Sequence, residues 1–208
     1  MTKIFTNSFS IFDRGYRNKA GKAVPQNKPL ETQTIEWVGE YIKSERAREA
    51  TQLLRNLKVQ EPSEAEQKER ELKVLSFMYA TFSGVFSYRK TDGLLMRSPF
   101  ICLDFDDLAS LDEAKSLREQ LSADSHIETE LCFVSPRGRG VKWVVTLPER
   151  TLGMTFKEQF DFMRDLVGFN YGIEVDKTGS DVSRACFLPY DPECYINPKY
   201  QQKKTSEI

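Results

Sequence analysis

A chain of 208 residues, 39% hydrophobic and 29% charged, is long enough to bury a core without metal or disulfide staples, as one large domain or a domain with a helical addition. Its formal net charge of −1 excludes a global basic field, so any surface for nucleic acid is local. No apolar run approaches the roughly 18 residues of a membrane span and no signal peptide opens the chain, which predicts a cytoplasmic protein with no membrane partner.

Residues 4–12 alternate, with Phe5, Phe9 and Ile11 against Thr6, Ser8 and Ser10, and predict a half-buried strand. A polar loop or hairpin follows from Arg14 to Pro29. Thr34 caps a predicted helix carrying Ile35, Val38 and Ile42, and a second runs from about Ser44 to Leu57. Ser63 with Glu66 forms a capping box for a third. The many charges of this segment read as a solvated helical face. From Lys73 the composition turns β-prone. Residues 81–89 are aromatic, and Thr91-Asp-Gly93 signals a hairpin back through Leu94–Met96. Ser110 and Glu113 start a helix to about Leu121; Thr155 and Glu158 start another, with Phe156, Phe160, Met163 and Val167 as its core stripe. Strands are predicted over 131–134 and 141–147, with shorter apolar pieces at 175, 186–188 and 195–196. Cys102, Cys132, Cys186 and Cys194 lack C-x-x-C spacing and read as reduced core residues, not zinc ligands. The irregular interleaving of strands, hairpins and helices favours an α+β fold over a doubly wound sheet.

Three stretches carry chemistry. In Pro99–Leu108 an apolar run of the kind buried on both faces leads into Asp104 and Asp106. Strand alternation puts these carboxylates on one side, about 7 Å apart along the chain. Either a divalent cation compensates them, with Mg²⁺ or Mn²⁺ favoured by carboxylate oxygen, or they merely end the strand and cap the next helix. In Ser135-Pro-Arg-Gly-Arg-Gly-Val-Lys142, two glycines allow a sharp turn whose N–H groups can form an anion nest. Ser135, Arg137, Arg139 and Lys142 would then hold a phosphate; the alternative is a hairpin with a solvated basic tip. In Ile173–Leu188, Asp176 ends a short apolar piece, and Arg184 beside an apolar run needs a partner. His126, the only histidine, lies in a polar loop, which removes histidine-based catalysis.

In order, Asp104-Phe-Asp106, the Ser135–Lys142 turn and Val175-Asp176 resemble the three motifs of the archaeo-eukaryotic primase superfamily. A closer resemblance lies in Thr81-Phe-Ser-Gly84, Leu103-Asp-Phe-Asp-Asp-Leu108, Val134-Ser-Pro-Arg-Gly-Arg-Gly140 and Asp181-Val-Ser-Arg-Ala-Cys-Phe-Leu188 with Asp191-Pro192. These are similar to the amino-terminal, primase-like domain of Bacteroidetes "virulence-associated E"-type mobile-element proteins, often joined to a helicase. The resemblance implies a primase-like α+β core with an antiparallel-rich mixed sheet over residues 74–200. It would be preceded by an N-terminal strand and loop (1–33) and a helical segment (34–73), and followed by a disordered tail or linker (201–208). It implies template-directed nucleotidyl transfer in mobile-element, plasmid or phage replication, on single-stranded or primed DNA, or RNA, with nucleoside triphosphates. Asp104, Asp106 and Asp176 would hold two divalent ions, Mg²⁺ or Mn²⁺. Ser135, Arg137, Arg139 and Lys142 would cradle the triphosphate, and Arg184 would brace Asp176 or contact a phosphate. Phe82, Phe86, Tyr88 and Arg89 would stack on template bases or pack in the core. Lys142 stands where primases place a histidine, a point charge in place of a directed imidazole contact. A nucleic-acid-binding module without catalysis and a metal-dependent nuclease are the rival expectations.

Overall fold

A computed structural model describes residues 5–57 and 62–200. Ile4, the Ser63 hydroxyl of the expected capping box and the tail 201–208 lie outside the described parts. The chain opens with β1 (Phe9–Phe12), β2 (Tyr16–Arg17), β3 (Ala23–Val24) and β4 (Glu31–Gln33). Three helices follow, α1 (Ile35–Lys43), α2 (Arg48–Arg55) and α3 (Pro62–Ser76). Next come β5 (Tyr79–Thr81), β6 (Gly84–Phe86), β7 (Leu94–Arg97) and β8 (Phe100–Phe105). The rest is α4 (Leu111–Ser122), β9 (Thr129–Val134), β10 (Val141–Thr146), α5 (Phe156–Tyr171), β11 (Cys186–Phe187) and β12 (Tyr195–Ile196).

The fold is α+β. One sheet has the order β11-β5-β1-β4 and the other β12-β9-β10-β8, with β2-β3 and β6-β7 as separate ribbons. Every strand pair among the described residues is antiparallel, where the sequence suggested a mixed sheet. Helix starts follow their capping residues. Thr34 accepts the Trp37 N–H, and Ser110 accepts the Glu113 N–H while Glu113 takes the Ala109 N–H. Thr155 and Glu158 complete a reciprocal box at α5, and such caps contribute about 1 kcal/mol each.

Alternation along β8–β10 sorts side chains between two cores. Ile101, Leu103 and Phe105 of β8 join Val141, Trp143 and Val145 of β10 in a cluster with Ala114, Leu117 and Leu121 of α4 and Phe160, Met163 and Val167 of α5. The opposite face sends Phe100, Leu131, Phe133 and Val144 against Phe9 and Ile11 of β1, Ile35, Val38 and Ile42 of α1, and Leu54 of α2. Each of these large side chains contributes about 1.5–3 kcal/mol by leaving water. The N-terminal strand and the helices are therefore built into the core of the second sheet.

Two expectations change. β1 is buried on both faces, not half-buried, because the Ser10 hydroxyl accepts the Phe86 N–H at 2.9 Å beneath the β6-β7 ribbon. β8 is nearly continuous in burial as expected, yet it stands at the edge of its sheet, bonded on one side to β10. Its other edge is what brings the third acidic residue to the first two.

Candidate functional site

On β8, residues 101, 103 and 105 face the α4–α5 cluster, so Asp104 falls on the opposite side, toward the first sheet. Lys142 of β10 is the direct cross-strand partner of Asp104, on the same side of the sheet. The segment carrying Asp176 lies along the free edge of β8, where the Asp176 N–H donates to the Asp104 carbonyl at 2.8 Å. Ligand oxygens of Asp104, Asp106 and Asp176 thus come within 4.8 Å of one another, although Asp176 is remote in sequence.

The cluster is short of positive charge. Lys142 Nζ contacts Asp104 Oδ2 and lies 3.9 Å from Asp106 Oδ1. The Asp104 Oδ1 is buried with no hydrogen-bond partner among the described residues, in a side chain that is 9% exposed as a residue. An unpartnered buried carboxylate oxygen is costly unless a cation takes it. Burial pushes the Asp104 carboxyl above the usual aspartate range; Lys142 pulls it back, and the Asp106 charge adds to the rise. Burial disfavours the Lys142 ammonium, yet Asp104 and Asp106 outweigh it and hold the lysine above its usual range. Burial thus opposes charge on both partners, and two carboxylates crowd one ammonium. Asp176 behaves differently. Burial raises it, but the Thr178 N–H at 3.0 Å, the Thr178 hydroxyl and Arg184 at 3.3 Å leave its carboxyl below the usual range.

Two of the three carboxylates, Asp104 and Asp106, line a cleft of about 510 Å³ whose walls also include Arg70, Lys73, Arg89, Arg137, Lys142 and Arg184 with Asp181. A chain of net charge −1 therefore concentrates cations here. Arg70, Lys73 and Arg89 make no ion pair among the described residues, and the Arg89 Nε is buried without a hydrogen-bond partner. Burial, with Arg137 and Lys142 nearby, pulls the Lys73 ammonium below its usual range. An anion there would relieve both.

Of the residues singled out from the sequence, Asp104, Asp106, Ser135, Arg137, Lys142 and Arg184 line the cleft, and Asp176 joins the carboxylates. Arg139 does not line it. Its side chain is exposed, and Nε donates to the Leu108 carbonyl at 3.0 Å, tying the turn to the segment after β8. Lys142 lies among the carboxylates, whereas a triphosphate cradle would set it against phosphate. The turn itself is tight: Gly138 has φ +75°, and a Cβ at Gly140 would meet the Phe105 carbonyl at 2.4 Å. Arg55 of α2 braces it through the carbonyls of Ser135 and Pro136 at 3.4 Å. Phe82 and Phe86 are buried core residues, although Phe82 also reaches the cleft wall. Arg70 and Lys73 escaped the sequence reading because they look like any charged helix face. The signal available was Lys73 close to Val74 and Phe77, at the point where the composition changes.

No helix among the described residues is long and apolar enough to cross a membrane. No curated protein and no solved structure matches the chain. A family model does match: that described as BT4734-like, N-terminal domain, over residues 71–196, from the end of α3 through β12. This span holds the three carboxylates, Lys73, the 135–142 turn and Arg184, and it makes up more than half of the chain, which therefore belongs to the BT4734-like N-terminal domain family.

Proposed function

We propose that this chain is a primase/polymerase-like nucleotidyltransferase domain that joins a nucleoside triphosphate to a strand on a DNA or RNA template. The reading includes the primase-superfamily relationship, a role in mobile-element, plasmid or phage replication, and a helicase as partner domain or subunit. One observation carries it: three converging carboxylates, one with a buried unpartnered oxygen and two of them lining a cleft with cationic walls. The donor set fits Mg²⁺ or Mn²⁺, because it offers carboxylate oxygen and no imidazole or thiolate within the cluster. Asp104, Asp106 and Asp176 would hold such an ion, which would supply charge stabilisation to the attacking and leaving oxygens.

The chain's own groups account for the rest. Lys73 and Arg137, which pairs with Glu69 at 3.3 Å, both line the cleft and would take the phosphate tail of an incoming nucleotide through charge-assisted hydrogen bonds. Ser135, buried at the start of the turn, lines the same cleft. Arg184 holds Asp176 in place for the cluster. A second reading, binding without catalysis, is favoured by the Lys142–Asp104 ion pair, which already gives one carboxylate a counter-charge.

A primed template, labelled nucleotides and Mg²⁺ or Mn²⁺ separate the possibilities. Strand extension that disappears in Asp106→Asn is the expected result. Retention of the strand without extension would favour the binding module, and shortening of the labelled strand would favour a nuclease.

A further inference from the structure

We infer that Lys142 is a built-in counter-ion standing in for one divalent cation, so that the Asp104–Asp106–Asp176 cluster holds a single Mg²⁺ or Mn²⁺ instead of two. The inference rests on the reading of these carboxylates as a cation site, but it does not require that transfer occur.

The position of Lys142 is fixed by the sheet. β10 pairs with β8 from Val141↔Phe105 to Thr146↔Phe100, and Val141, Trp143 and Val145 are fully buried on the far side. A slip of one residue would drive Lys142 into that apolar layer, so the register cannot move it off the site. Its ammonium meets Asp104 Oδ2 and lies 3.9 Å from Asp106 Oδ1, with a side chain 12% exposed. It therefore puts a fixed positive charge against Asp104 Oδ2 and near Asp106, where a second ion on the cluster would have to sit. A dication in the same place would face a fixed positive charge at contact range.

Oxygen supply limits the site as well, since among the described residues Asp106 alone of the three has both oxygens outside a hydrogen bond or close ion pair. Asp104 Oδ2 is committed to Lys142; Asp176 Oδ1 accepts the Thr178 N–H, and Asp176 Oδ2 faces Arg184. Asp104 Oδ1 is the buried oxygen left without a partner. Three carboxylates meet two built-in cations, Lys142 and Arg184, which leaves one negative charge. A single dication more than neutralises it, and a second would face a site already positive.

The test is a Mn²⁺ titration of the whole chain without nucleotide, following free Mn²⁺ by electron paramagnetic resonance. Wild type should bind one Mn²⁺. Lys142→Met, which keeps the stem and removes the charge, should bind two, the first at least about tenfold tighter than in wild type. Lys142→Arg should return the count to one. Two ions on wild type, none on wild type, or one ion with unchanged affinity on Lys142→Met would overturn the assignment. Should Lys142→Met fail to fold, the wild-type count decides alone: one supports, two or none overturns. A chain that binds one Mn²⁺ and extends no primer keeps this assignment and loses the transfer reading, whereas extension with two bound ions does the reverse.

Discussion

Two buried ion pairs in this molecule, similar in composition, have opposite accounts. Arg118 of α4 grips both oxygens of Asp191 at 3.0 and 3.2 Å, with side chains only 4% and 6% exposed. Asp191 also accepts the Val134 N–H at 2.8 Å and the Glu193 N–H at 3.2 Å, so each of its oxygens is used. Lys142 and Asp104 are 12% exposed each, yet one Asp104 oxygen has no partner and two more carboxylates stand beside it. The first pair closes upon itself and ties α4 to the loop before β12. The second is unfinished. A fully hydrogen-bonded buried pair is structural, whereas one that leaves a buried oxygen over is a place for a ligand.

The comparison breaks most visibly at its structural member. Asp191→Ala strands the Arg118 guanidinium and the Val134 N–H, and should cost about 3–5 kcal/mol of stability in urea unfolding. A loss under about 1 kcal/mol would remove the distinction between the pairs. Asp104→Asn comes next. Lys142 loses its main partner but keeps Asp106 at 3.9 Å, so the expected cost is smaller, about 2 kcal/mol, together with loss of Mn²⁺ binding. Neutralising both Asp104 and Asp106 would leave the buried lysine without its two ion-pair partners, and so should destabilise the chain despite the repulsion relieved.

Asp106→Asn separates site from scaffold. It leaves the Lys142–Asp104 contact intact and removes a like charge, so melting without metal should be unchanged or higher, while Mn²⁺ affinity falls at least about tenfold. A lower melting temperature would return Asp106 to the scaffold. Across the turn, Arg137→Ala should weaken single-strand binding and reduce its salt slope by about one. Arg139→Ala should leave both unchanged, because that guanidinium faces Leu108 and not the cleft. Equal effects would mean that the turn adopts another conformation with nucleic acid.

The smallest effect concerns pH. The carboxyl of Asp176 is depressed in the folded chain, so it contributes stability above the ordinary aspartate range that is lost as pH falls through its folded value. Arg184→Gln removes one cause of that depression. The carboxyl resonance of Asp176 should then titrate closer to the ordinary aspartate value, and the stability lost on acidification should be smaller and complete at a higher pH, with its onset unchanged. An unmoved titration would assign the depression to Thr178 and Lys142.

Much of the site could be read in the chain because its signals are local. An apolar run ending in Asp-x-Asp fixes which side of β8 the carboxylates take, and capping residues set the starts of α1, α4 and α5. The missing parts depend on contacts remote in sequence. Lys142 opposes Asp104 only through the β8–β10 register, after α4 and β9 have intervened. Asp176 arrives by a backbone hydrogen bond to the edge of β8, which no periodicity announces. Arg137 and Arg139 look equivalent as residues, but the left-handed Gly138 between them directs one into the cleft and the other away. Lys73 and Arg70 belong to a helix rich in exposed charges, and only the packing of α3 against α2 and the β2-β3 ribbon turns them into a wall of the cleft.

The most direct measurement is anomalous scattering from crystals of this chain soaked in Mn²⁺. The account predicts one peak, within bonding distance of Asp104 Oδ1 and reached by carboxylate oxygens of Asp106 and Asp176, with Lys142 still against Asp104 Oδ2. A soaked crystal with no peak at these carboxylates, or with the Asp104 Oδ1 still unpartnered beside an ion bound elsewhere, would contradict it.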